Sequence, residues 1–130
     1  MKQDQGILDS ISTGIVVLDD KLRVCALNVA GQALLETSEA RCIGQYAGKL
    51  VLHPREWLAT LEHALTGRRP HTSRNVPLML HSGQEIHVDV IVTPITNTEG
   101  VFSLLVELMA VDRLLKISRD ESLLQAQETS

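Results

Sequence analysis

The chain has 130 residues, 44% hydrophobic and 22% charged, the balance of one globular domain rather than of a disordered tail. Lys and Arg number 12 against 16 Asp and Glu, a net charge of −4, and the aromatics are Tyr46, Trp57 and Phe102 alone. That composition argues against a nucleic-acid backbone binder and against a pocket or platform of stacked rings.

Residues Asp4–Ser12 carry Ile7, Leu8 and Ile11 on one stripe, which predicts a short amphipathic helix stopped by Gly14. Ile15–Leu18 reads as a strand, Asp19-Asp20-Lys21 as a tight turn and Leu22–Leu27 as the returning strand of an antiparallel hairpin. Asn28 is a good N-cap for a helix running to about Thr37, with Ala30 and Leu34 on its inner face. Ser38 can cap a further short turn that Gly44 ends, and helical character is weak from Gln45 to Leu52. Pro54 suits a helix start, and in Arg55–Thr66 the residues Trp57, Leu58, Leu61, Ala64 and Leu65 share an arc of roughly 120°.

Gly67 ends that helix, and Arg68-Arg69-Pro70 forms a polar break. Val76, Leu78 and Leu80 then alternate, His81–Gln84 turns the chain, and Ile86, Val88, Val90 and Val92 alternate again. After a turn at Thr96–Gly100, Phe102, Leu104, Val106 and Leu108 repeat the period of two. From about Ala110 to Ser130 the chain is rich in helix formers and free of Gly and Pro, so it reads as a helix leaving the domain. The expected fold class is α+β, with a five-stranded antiparallel sheet carrying short helices on one face. Its divisions are an N-terminal amphipathic helix over residues 1–13, a core over 14–110 and a C-terminal linker helix over 111–130.

This series resembles a PAS domain from about Asp4 to Asp112. The resemblance rests on Gly14–Asp19 with its acidic turn, Leu27-Asn28 opening a helix, Ile43-Gly44-Gln45, the His81–Gln84 hairpin and the closing alternating strands. More narrowly, Leu8–Asp19 and the closing Val111–Arg119 are similar to the sensor domain of NtrB-type nitrogen-regulation histidine kinases. In that family a histidine box and an ATP-binding domain follow the linker. Neither is found in these residues, so the resemblance implies a sensory piece that phosphorylates nothing by itself.

The chemistry-bearing residues point the same way. Cys25 and Cys42 stand alone, without a CxxC pair, and read as small buried hydrophobes rather than ligands. His63 lies opposite the apolar arc of its helix and faces solvent, which speaks against the haem ligation that some PAS domains place on that helix. His81 and His87 fall roughly 10 Å apart at strand rise, too far to share a metal. His87 alternates with Asp89 on the outer sheet face, where an ion pair is expected. Cys42 lacks the Asn and aromatic neighbours of a flavin photosensor, and no GxGxxG or P-loop is present. No cofactor, metal or catalytic residue is therefore expected. The inward residues are mostly Val, Ile and Leu, so the core is expected to be filled by side chains.

The surfaces carry the functional expectation. Ile91, Val101 and Leu105 fall on the outer face of the sheet and would expose an apolar patch unless covered. Ile7, Leu8 and Ile11 are the natural cover, from the same chain or a partner, and the resemblance implies a homodimer that uses both surfaces. Leu114, Ile117 and Leu124 form a heptad-like seam that Glu121 interrupts, and Asp112 stands at the strand-to-helix junction as the expected coupling point. The expected function is a sensory and dimerisation module relaying conformation to a kinase core of the same polypeptide. The resemblance adds a response regulator and a PII-type protein as partners of the missing parts. No run approaches the roughly 18–20 apolar residues of a membrane span, and Met1–Gln5 lacks a signal sequence, so a cytoplasmic location is expected. The other reading is a PAS domain of a different signalling protein that binds a small apolar ligand. A stand-alone enzyme is the remaining class.

Overall fold

A computed structural model describes residues 13–111. The expected N-terminal helix and C-terminal linker helix lie outside the described residues. Within them run β1 (Thr13–Leu18), β2 (Val24–Leu27), α1 (Val29–Leu35), α2 (Glu39–Cys42), a 3-10 turn (Ala47–Leu50), α3 (Arg55–Gly67), β3 (His71–Met79), β4 (Glu85–Thr96) and β5 (Phe102–Ala110). The strands form one five-stranded antiparallel sheet in the order β2-β1-β5-β4-β3. The short helices pack on one face of it, which is the expected α+β architecture.

Alternation sets the inner face. Val16 and Leu18 on β1, Val88, Val90 and Val92 on β4, and Leu104, Val106 and Leu108 on β5 are all buried completely. Against them α3 lays Trp57, Leu61 and Ala64, so side chains fill the space between helix and sheet. Phe102 is only half-buried at the end of the series, and the Arg68 guanidinium lies 3.8 Å over its ring.

The first hairpin differs from the expected one because a side chain takes over the turn. Asp19 Oδ1 accepts from the backbone N–H of both Lys21 and Arg23 at 2.9 Å. Leu22 is held there at φ 61 while its side chain is buried to 4% exposure, so β2 starts at Val24 instead of Leu22. Gly14, expected to separate helix from strand, lies inside β1.

Asn28 caps α1 as expected and does more. Its Oδ1 accepts from Gly31 N at 2.7 Å and from Ile15 N at 2.8 Å, while Nδ2 donates to Thr13 O at 3.1 Å. Anchoring the first turn to β1 in this way turns Gly31 and Leu35 inward. Ala30 and Leu34, expected on the inner face, are only half-buried. The helix also stops early, since Glu36 takes φ 55 and caps it. Ser38 caps α2 through its hydroxyl, as the sequence predicts.

Two further departures have tertiary causes. The 3-10 turn forms where helical signals are weak because the buried Trp57 indole donates to Ala47 O at 2.9 Å. β3 begins at His71, well before the alternating Val76 and Leu78, with an irregularity between Ser73 and Val76 where Asn75 takes φ 55. The polar run His71–Asn75 pairs as an edge strand, which has one side free of neighbours and needs no apolar alternation.

Candidate functional site

The face of the sheet opposite the helices carries a group of half-buried apolar side chains. Outward positions on β1, β5 and β4 line up in rows across the ladder: Thr13, Met109 and Asp89; then Ile15, Glu107 and Ile91; then Val17, Leu105 and Thr93. All of these side chains are half-buried. Ile15, Val17, Leu105, Met109 and Ile91 thus surround the carboxylate of Glu107 on a surface three strands wide. A sheet face meant for water alternates polar residues at such positions.

Ile91 and Leu105 were expected here, and the register brings them onto neighbouring strands. Val101 does not belong with them. It lies in the β4–β5 connection before the first residue of β5, 54% exposed, with its N–H bonded to Asn97 Oδ1 at 2.9 Å. The Asx turn of Asn97 holds it out of the ladder. Ile7, Leu8 and Ile11, and the relay candidates Asp112, Leu114 and Ile117, lie outside the described residues.

Ile15, Val17 and Met109 were missed. The available signal was the unbroken apolar run Ile15–Leu18, which marks a strand covered on both faces rather than one. Met109 follows from Leu105 by the period of two.

The C-terminal limit of the described residues adjoins this face. Val111 N donates to His87 O at 2.9 Å, so the backbone is tied to β4 through Val111, beside the Met109–Asp89 row.

The histidines and cysteines serve local structure. His63 is exposed on α3 as expected, and its ring stacks on His71 with centroids 5.1 Å apart. His71 Nε2 lies 3.2 Å from Ser73 Oγ, which accepts from Thr60 Oγ1 at 3.2 Å, so these groups pin α3 to β3. His87 faces Glu85 at 3.9 Å rather than Asp89. Asp89 is engaged elsewhere, by Arg74 at 3.7 Å and by the N–H of Asn75 at 2.9 Å, a consequence of the β3 irregularity.

Cys42 is buried beside Thr37 Oγ1, as expected. Cys25 is exposed on the edge strand β2, contrary to expectation, and partial desolvation together with the nearby Asp19 carboxylate pushes its thiol pKa up. Among the described residues no three His, Cys, Asp or Glu side chains are grouped to hold a metal ion. No helix among them is long and apolar enough to cross a membrane.

Comparison with known proteins places this arrangement. The PAS domain of nitrogen regulation protein NR(II) from Vibrio parahaemolyticus superposes with a TM-score of 0.68 at 28% identity, covering 83% of this chain and 97% of that one. A PAS domain from Colwellia psychrerythraea gives a TM-score of 0.62 at 19% identity, covering 82% of this chain and 92% of that one. A PAS domain of a two-component sensor histidine kinase gives 0.65 at 13%, covering 85% and 95%. The last two likenesses speak to the fold alone. No curated protein sequence matches the chain. The sequence model of the PAS fold matches residues 2–111. The chain therefore belongs to the PAS fold family and is a sensory domain of that family.

Proposed function

We propose that this chain is the sensory and dimerisation module of a nitrogen-regulation type histidine kinase in the cytoplasm. It pairs through the open face of its sheet and passes conformation to a phosphotransfer core through the segment that follows Ala110. The observation that carries this reading is the half-buried apolar surface of Ile15, Val17, Leu105, Met109 and Ile91 beside Val111, the C-terminal limit of the described residues. Leaving such a surface on water forgoes about 25 cal/mol for each Å2 that a second copy would cover. The likeness to the NR(II) domain supports the nitrogen-regulation assignment, and the assignment brings with it a response regulator and a PII-type protein as partners of the parent.

Ile7, Leu8 and Ile11 complete the interface in this reading, and Asp112, Leu114 and Ile117 carry the motion onward. A change in how two sheets pack shifts both exit strands together, and the paired linkers then rotate or slide against each other.

Native mass spectrometry of the 14.3 kDa chain tests the pairing. A dimer that becomes a monomer in Leu105→Asp, with an unchanged far-ultraviolet spectrum, is the expected result, because the variant buries an unpaired charge in the contact. A variant that stays dimeric overturns the assignment of this face.

A further inference from the structure

A surface cavity of about 320 Å3 lies between the α1–α2 connection and the β3–β4 hairpin, away from the open face of the sheet. Three of its lining residues, Leu35, Cys42 and Leu50, are buried apolar side chains of the core. Three others, Arg41, Lys49 and His81, are exposed and basic or titratable. The ion pairs among the described residues are Arg74–Asp89 and His87–Glu85, so neither Arg41 nor Lys49 is in direct salt-bridge contact with a carboxylate there.

The walls are held by the fold. His81 Nε2 donates to Lys49 O at 2.7 Å, joining the hairpin to the 3-10 turn. Leu52 N donates to Met79 O at 2.7 Å one step further along. Thr37 Oγ1 and Cys42 Sγ, 3.4 Å apart, close the side toward α2. Cations standing over an apolar floor in a preformed hollow are the features that small-ligand sites combine, and this volume falls at the lower end of the roughly 300–1,000 Å3 such sites span.

The geometry points to a binding site for a small monocarboxylate with a short branched apolar stem. The stem covers Leu35, Leu50 and Cys42. The carboxylate is met by the planar fork of Arg41, the group best matched to two carboxylate oxygens, and by the ammonium of Lys49. Glu36 also lines the cavity and sets one negative charge against the two positive ones of Arg41 and Lys49, so the net charge of the walls matches one carboxylate and disfavours a second. This site stands independently of whether the open sheet face pairs.

The test is a titration of the full chain with sodium isovalerate, followed by amide chemical shifts and melting temperature. Isovaleramide, sodium succinate and sodium phosphate serve as comparisons. Isovalerate is expected to bind with a Kd of about 1 mM and to move the amides of Cys42, Lys49 and His81. The neutral amide loses the charge, phosphate loses the stem and succinate meets Glu36, so each is expected to bind roughly tenfold more weakly or worse. Arg41→Gln should weaken isovalerate by roughly tenfold, whereas Arg74→Gln, which lies elsewhere, should leave it unchanged. Absence of saturable shifts up to roughly 20 mM overturns the site. Isovaleramide or phosphate binding as well as isovalerate, or an Arg41→Gln protein that binds normally, overturns it equally.

Discussion

Gly14 on β1 and Gly31 on α1 lie backbone against backbone: a Cβ on Gly14 would stand 3.0 Å from the Cα of Gly31. The contact lets α1 rest directly on the strand, where Asn28 bonds to both elements. A Cβ on Gly31 would meet Leu27 Cδ1 at 2.7 Å and Asn28 Oδ1 at 3.0 Å, so Gly31→Ala must displace the buried Leu27 side chain and crowd the cap. Urea unfolding of this variant should show a loss of about 1–3 kcal/mol. Gly67, where an added Cβ meets nothing, is the control, and Gly67→Ala should gain about 0.5–1 kcal/mol from reduced freedom of the unfolded chain.

Asn28 is a junction rather than a simple cap. Asn28→Ala removes an acceptor shared by Ile15 N and Gly31 N and a donor to Thr13 O, and should cost about 2–3 kcal/mol in thermal or urea unfolding. Asn28→Asp keeps the acceptor but sets a carboxylate oxygen against Thr13 O, so its stability should fall between those of the unsubstituted chain and the alanine variant.

The Trp57 indole N–H answers the carbonyl of a residue that is itself fully buried, Ala47. Trp57→Phe leaves that carbonyl without its donor and leaves a gap where the second ring stood. An unfolding loss of about 2–4 kcal/mol is expected, with faster hydrogen exchange across Ala47–Leu50 as the local signature.

Cys25 offers a pH test. Desolvation first, and then the Asp19 carboxylate, disfavour its thiolate, so the folded thiol titrates above its unfolded value. This contribution to stability is therefore present below the unfolded pKa and is lost as pH rises through the folded one. At mildly alkaline pH, alkylation of Cys25 by iodoacetamide should run slower than that of an unstructured peptide thiol, and Asp19→Asn, which removes the second cause, should narrow the gap by relieving the repulsion. A rate equal to the peptide's at every pH would contradict the cause assigned.

Much of this fold was legible because its inner face obeys simple periods. Val88, Val90 and Val92, with Leu104, Val106 and Leu108, announce strands by alternation, and Trp57, Leu61 and Ala64 announce α3 by helical spacing. What local pattern could not carry were contacts between distant residues. The inward turn of α1 onto Gly31 and Leu35 depends on Asn28 reaching β1, and the 3-10 turn depends on an indole ten positions away along the chain. The polar stretch of β3 was silent because an edge strand needs no apolar row.

The candidate site was half visible for a related reason. Ile91 and Leu105 sit between polar residues of the same parity, Asp89 and Thr93 for one and Ser103 and Glu107 for the other, so each stands out as an apolar residue on the wrong face. Ile15 and Val17 sit in a run with no polar residue to mark which face is which, and Val101 shares the parity of Leu105 but is turned aside by Asn97. The pairing of β1 with β5 adds Ile15 and Val17 to the patch, and that pairing joins residues far apart in sequence.

The central claim is that two copies meet through this open face. Isotope-filtered nuclear Overhauser measurements on a mixture of methyl-labelled and unlabelled chain address it most directly. Intermolecular contacts are expected to the methyl groups of Ile15, Ile91, Leu105 and Met109, and none to Val90 and Val106, which are buried on the inner face. A dimer whose intermolecular contacts avoid those four outward residues, or a monomer throughout at millimolar concentration, would contradict it.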